Sequence, residues 1–128
     1  MTSPFPVVLI VDDNARNRKL ASDVLRDAGF TTLEAATAAE GIEAAARDQP
    51  DVILLDLRLP DLDGSQAVHL LREGPRTSAI PVVAMTALPL GDGDEWLTAA
   101  GFAGSIAKPI DIHALPHLVG RFAAGKAG

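Results

Sequence analysis

The chain has 128 residues, 48% of them apolar, and a formal net charge of −6. That length fits one domain with a real core. The absence of cysteine excludes a disulfide framework, a thiolate zinc site and a cysteine nucleophile, and the acidic balance argues against nucleic acid, whose phosphates are held mainly by Lys and Arg.

The start, Met-Thr-Ser-Pro-Phe-Pro, has no basic leader region, and the apolar run Val7–Val11 is too short for a signal peptide or a membrane span. A soluble, cytoplasmic chain is expected. Val7–Val11 reads as the first strand, closed by Asp12, Asp13 and Asn14. Asp13 or Asn14 can cap the helix that follows. There Leu20, Ala21, Val24, Leu25 and Ala28 share a face, with Arg16, Lys19, Asp23 and Arg26 largely off it. Gly29 is the natural stop. Thr31–Ala35 is a short second strand. Thr37-Ala-Ala-Glu40 has the spacing of a capping box, opening a helix that Pro50 closes.

Residues 52–55 are continuously apolar, as in a central strand buried on both faces. Such a strand cannot carry a carboxylate in its middle, so Asp56 belongs where the strand emerges. The third helix is expected to begin at Gly64 or Ser65, to turn Ala67, Val68 and the Leu70-Leu71 pair inward, and to stop at Gly74-Pro75. Residues 80–85 form the fourth strand, ending at Thr86-Ala87. Pro89, Gly91 and Gly93 delay the fourth helix to Asp92 or Asp94, and Gly101 ends it. Residues 103–107 are the fifth strand, ending at Lys108-Pro109. Asp111 can cap a last helix running toward Ala123, although Pro116 and Gly120 inside it require a late start near Leu115 or a kink. The final Gly-Lys-Ala-Gly reads as a frayed end.

Strand and helix thus alternate five times, the pattern of parallel βαβ units with right-handed crossovers. The expected fold class is α/β: a doubly wound (βα)5 three-layer sandwich on a five-stranded parallel sheet. The order 2-1-3-4-5 is taken from the flavodoxin-like arrangement, with its switch point between strands one and three. One domain covering residues 1–128, with a core of about 6–124 and no output domain, is expected.

On that frame Asp12, Asp13, Asp56, Thr86 and Lys108 all fall at the carboxyl edge of the sheet, where such folds bind ligands. Each alone has a bland reading: paired aspartates cap helices, a strand-end Thr is structural, a Lys before Pro is a solvated turn residue. Together they place three carboxylates within a few ångströms, where each close pair repels by roughly 4 kcal/mol at an effective dielectric near 20. A hard divalent cation relieves this, and Mg²⁺ is commonly held by one or two carboxylates plus phosphate oxygens. With an ammonium and a hydroxyl beside the metal, the set suits a phosphoryl group, and the most accessible carboxylate is a candidate nucleophile.

Four motifs carry a resemblance: Val-Leu-Ile-Val-Asp12-Asp13-Asn14, Leu-Leu-Asp56-Leu-Arg-Leu-Pro60-Asp-Leu-Asp-Gly64, Pro81-Val-Val-Ala-Met-Thr86-Ala87 and Lys108-Pro109. With them the chain resembles, over nearly its whole length, the receiver domain of two-component response regulators. Asp13, Asn14 and Asn17 with Lys-Pro-Ile resemble most the stand-alone regulators of the DivK type. The resemblance implies that Asp56 accepts phosphate from a sensor histidine kinase or a histidine phosphotransfer protein. Asp13 would bind Mg²⁺ (or Mn²⁺) directly, Asp12 mainly through water, Asp56 and the main-chain carbonyl of Arg58 completing the set. Thr86, Ala87 and Lys108 would hold the phosphoryl oxygens, and the bond to Pro109 would be cis.

The resemblance further implies no enzyme beyond self-phosphorylation and dephosphorylation, a downstream protein target, no membrane or nucleic-acid partner, and homodimerisation through the face of helix four, strand five and helix five as an option. One departure stands out. The position three before Lys108, aromatic in most of the family, is Ser105, so the usual rotamer switch is missing and coupling is expected through residues 89–93 and helix four. Arg58 and Leu88 flank the site where the family tunes phosphoryl lifetime. His113 and His117, spaced i, i+4, lack an acidic companion and are expected to face solvent or a partner. Two other classes compete. One is a pseudo-receiver or a receiver cut from a longer protein. The other is an enzyme: a haloacid-dehalogenase-type hydrolase would need an Asp where Arg58 stands, and a flavodoxin a Ser/Thr/Gly loop where Asp12-Asp13-Asn14 stands.

Overall fold

A computed structural model describes residues 6–86 and 95–127. Its strands are β1 (Val7–Val11), β2 (Thr31–Ala35), β3 (Val52–Asp56), β4 (Val82–Thr86) and β5 (Gly104–Ala107). The helices are α1 (Ala15–Asp27), α2 (Ala38–Asp48), α3 (Gly64–Glu73), α4 (Glu95–Ala100) and α5 (Leu115–Ala127). All strand pairs are parallel, in the order β2-β1-β3-β4-β5. The doubly wound α/β class and the strand order are those expected.

Alternation along the strands divides the interior into two cores. Leu9, Val11, Ile53, Leu55, Val82 and Ala84 face α2, α3 and α4. Val8, Ile10, Val52, Leu54, Val83 and Met85 face α1 and α5. Both faces of β1, β3 and β4 are therefore covered, which is why these segments read as unbroken apolar runs.

Local chemistry fixes the helix ends. The Asn14 side chain accepts from the N–H groups of Arg16 and Asn17 and is the cap of α1. Thr37 caps α2, but the Glu40 carboxylate accepts from the N–H of Ala36 rather than closing the box on Thr37. A full reciprocal box opens α3 instead, between Asp63 and Gln66. Gly64 is needed for another reason: a Cβ there would lie 2.9 Å from the Leu57 Cα, too close for any side chain, so only glycine lets the loop after β3 fold back so tightly.

Expectations are corrected at Leu20, at Leu70 and at the end of α5. Leu20 and Leu70 are not inward: they are 43% and 45% exposed. Successive helical residues lie about 100° apart, and Leu20 and Leu70 fall just outside the sectors that Ala21, Ser22 and Leu25 on α1, and Ala67, Val68 and Leu71 on α3, turn to the core. Asp111 stands one turn before α5: its carboxylate accepts from the N–H groups of His113 and Ala114 and its carbonyl from the N–H of Leu115, the pattern that Asn14 makes at α1. The helix starts at Leu115, so Pro116 sits in the first turn, where no intrahelical acceptor exists for an N–H in any case. It then continues to Ala127, past the expected end at Ala123. His113 consequently lies outside the helix that carries His117.

Candidate functional site

The site is made by strand ends. Asp12 follows β1 and is fully buried; Asp56 closes β3 and is 7% exposed; Asp13 is exposed at the mouth. Carboxylate oxygens of all three lie within 4.8 Å of one another, the one such group of metal-ligating side chains among the described residues. Each buried carboxylate has one oxygen tied to its own loop. Asp12 Oδ1 accepts from the N–H of Asn14 at 2.9 Å, and Asp56 Oδ1 from the N–H of Arg58 at 2.9 Å.

The other two oxygens share a cation from β5. Lys108 Nζ donates to Asp12 Oδ2 at 3.1 Å and to Asp56 Oδ2 at 2.9 Å. Burial alone would lower the lysine; the hydrogen bonds to Asp56 and Asp12, with their charges, outweigh it and hold Lys108 above its ordinary value. The N–H of Lys108 donates to the Thr86 carbonyl at 2.8 Å, which sets the lysine one residue beyond the strand. The peptide bond to Pro109 is cis. Thr86 is buried at the end of β4 and lines the same crevice, of about 310 Å³, as the three aspartates, Lys108 and Asn17.

Three carboxylates against one ammonium leave a local excess of two negative charges. The donors are all oxygen, with no imidazole or thiolate in the crevice. Such a set fits a hard divalent cation and suits zinc or copper poorly.

Sequence reasoning missed two supports. Arg18 Nη1 donates to the main-chain carbonyl of Asp12 at 2.7 Å while its Nε lies 3.3 Å from Glu34 on β2; an arginine on a polar helix face gives no sign of this. Asp61 reaches back from the loop after β3, its two oxygens each 2.9 Å from the N–H groups of Ala38 and Ala39 at the start of α2.

Other singled-out residues lie away from the crevice or at its rim. The Arg58 side chain is exposed, Ser105 is partly exposed on β5, and His113 and His117 are exposed. Ala87, Leu88 and residues 89–93 lie outside the described residues, as do Asp92 and Asp94, proposed starts of α4.

The family model for the response regulator receiver domain matches residues 8–120. The chain belongs to the response regulator receiver family. That membership places this receiver in two-component signal transduction. Its similarity to the polar-differentiation response regulator DivK of Brucella ovis is 32% identity over 105 residues, 82% of this chain and 85% of DivK. Among solved structures, the chemotaxis response regulator CheY4 of Vibrio cholerae superposes with a TM-score of 0.86 at 27% identity, covering 92% of this chain and 98% of that one. The receiver domain of a sensor histidine kinase from Pseudomonas aeruginosa PAO1, with magnesium coordinated in its active-site cleft, gives 0.84 at 30% identity, covering 94% and 98%. Among the described residues of this receiver, no helix is long and apolar enough to cross a membrane.

Proposed function

We propose that this receiver accepts a phosphoryl group on Asp56 from a phosphohistidine of a sensor histidine kinase or a histidine phosphotransfer protein. The observation that carries the reading is the position of Asp56: at the crevice, beside two further carboxylates, with Lys108 bridging it to Asp12. An Asp56 oxygen forms a bond to phosphorus as the phosphorus–nitrogen bond breaks, and the imidazole nitrogen leaves with the electron pair. The product is an acyl phosphate. Asp12, Asp13, Asp56 and the main-chain carbonyl of Arg58 would hold Mg²⁺, or Mn²⁺ in its place, which when bound supplies positive charge to the transferring phosphoryl oxygens.

The chain's own groups do the rest. The Arg58 N–H orients Asp56, Lys108 stabilises charge on the phosphoryl oxygens, and Thr86 donates its hydroxyl to them. Phosphorylation adds charge and acceptors at the ends of β3 and β4, and the readout is a changed α4/β5/α5 face, the surface for a downstream protein or a second copy. Because Ser105 has no ring to turn inward, coupling runs through residues 89–93 and α4. The protein acts in the cytoplasm as a phosphorelay or switch component and catalyses nothing but its own phosphorylation and dephosphorylation.

The same Ser105 favours a second reading, a constitutive interaction module. Incubation with Mg²⁺ and acetyl phosphate separates them by intact mass. A base-labile phosphoryl adduct is expected on the native chain, absent in Asp56→Asn and absent without metal. If a folded protein takes no adduct from this donor or from a phosphohistidine protein, the module reading replaces the acceptor one.

A further inference from the structure

The face between α3 and α4 is separate from both the crevice and the α4/β5/α5 surface. It forms an open groove of about 610 Å³. Leu62 and Ala100, both packed on the core beneath, form its floor; Leu70 and Ala99 stand exposed on its walls with Ser65, Gln66 and His69. Trp96 is 42% exposed and lies three residues before Ala99, on the same side of α4. Leu70 and Trp96 are two of the four large apolar side chains exposed among the described residues.

Two observations distinguish this groove from an accidental gap. The first is that one end of it is anchored. Arg72 of α3 donates from Nε and Nη2 to the Gly101 carbonyl just beyond α4, at 3.0 and 2.8 Å. Its Nη1 donates to the carbonyls of Ser78 and Ile80, each at 2.8 Å. One guanidinium therefore joins the end of α3 to the end of α4 through the Gly101 carbonyl, and to the segment before β4 through the carbonyls of Ser78 and Ile80. A groove anchored in this way at one end loses less freedom when a ligand binds.

The second is its charge. Glu73, paired with His69, closes one end. Glu95, one turn before Ala99, and Asp63, the cap bonded to Gln66, stand at the other. The two helices carry no lysine, and their one arginine is Arg72, committed to carbonyls. Beside Asp63 the exposed Arg58, bridged to it through the main chain, supplies one cation, so the groove is apolar along its floor and acidic chiefly at Glu73 and Glu95.

We infer that it docks a basic amphipathic helix of a partner protein. The six residues of α4 span about 9 Å, enough for one pair of apolar side chains spaced i and i+4 on the incoming helix. Lys or Arg a turn beyond on each side would meet Glu73 and Glu95. The site is present in the unphosphorylated protein, so the inference stands apart from the acceptor chemistry.

The test uses the metal-free ¹⁵N-labelled chain and two short synthetic amphipathic helices of the same pattern, one of Leu and Lys, the other of Leu and Glu. The Leu/Lys peptide is expected to shift amides of residues 62–70 and 95–101, to change the emission of the single Trp96, and to weaken as salt rises. Leu70→Ser, at an exposed position that leaves the fold intact, should weaken it about tenfold, and Glu73→Gln with Glu95→Gln should remove most of its salt dependence. Equal binding of the Leu/Glu peptide, shifts confined to another face, or no binding would overturn the inference. So would shifts in the groove that grow with protein concentration alone, which would assign it to a second copy of the chain.

Discussion

Lys108 is the residue on which the charge balance of the crevice turns. Its ammonium is the shared partner of Asp12 and Asp56, and it is contributed by the last strand to the first and third. Removing one member of a fully buried ion pair costs about 3–5 kcal/mol. The Lys108 side chain is 17% exposed, so solvent screening lowers the expectation for Lys108→Met to about 2 kcal/mol in urea unfolding without metal. Millimolar Mg²⁺ should then restore more stability to the variant than it adds to the native chain, because the cation replaces a lost charge. Asp13→Asn should do the reverse. Asp13 is exposed and adds repulsion, so without metal its loss should raise the urea midpoint while weakening the stabilisation that Mg²⁺ gives. A native-like response to Mg²⁺ in both variants would mean that the carboxylates do not act as one cluster.

At the scale of elements, α2 is held by a residue outside itself. The N–H groups of Ala38 and Ala39, against a smaller opposing effect of burial, hold the Asp61 carboxyl below the usual carboxylate range. With the folded-state value depressed, the unfolded chain binds the proton first as pH falls. The contribution of Asp61 is present above the unfolded value, near about 3.9, and is lost as pH drops through the folded one. Asp61→Ala should therefore lower stability at neutral pH and flatten the acid limb of the stability profile, and an unchanged limb would show that the tether does not hold in solution. On α3 the contrast is between neighbours. Leu71→Ala should cost about 2–5 kcal/mol, whereas Leu70→Ala should stay within about 0.5 kcal/mol, both measured by chemical denaturation.

Across the whole molecule, what was legible is what repeats or interrupts a pattern. Five alternations of apolar runs and helical segments declare the class, and a carboxylate closing an unbroken apolar run, as Asp56 does, declares a strand end at a crevice. The strand order was borrowed from a fold type, since nothing in the runs themselves says which pairs with which. The Arg18 bond to the Asp12 carbonyl and the Asp61 tether to α2 were not legible, because a side chain that seeks a distant main-chain group leaves no periodicity. Leu70 lies at the margin of a face centred on Ala67, Val68 and Leu71, and a Leu-Leu pair does not itself say where such a face ends.

The linkage of Lys108 to Asp12 across 96 positions has a consequence for how the protein comes into being. During synthesis the three aspartates emerge first and the balancing ammonium only after all of them. A nascent chain that stops short of β5 carries every acidic group of the crevice without the ammonium that bridges Asp12 and Asp56. The protein's own balancing charge is thus supplied only once β5 takes its place at the edge of the sheet.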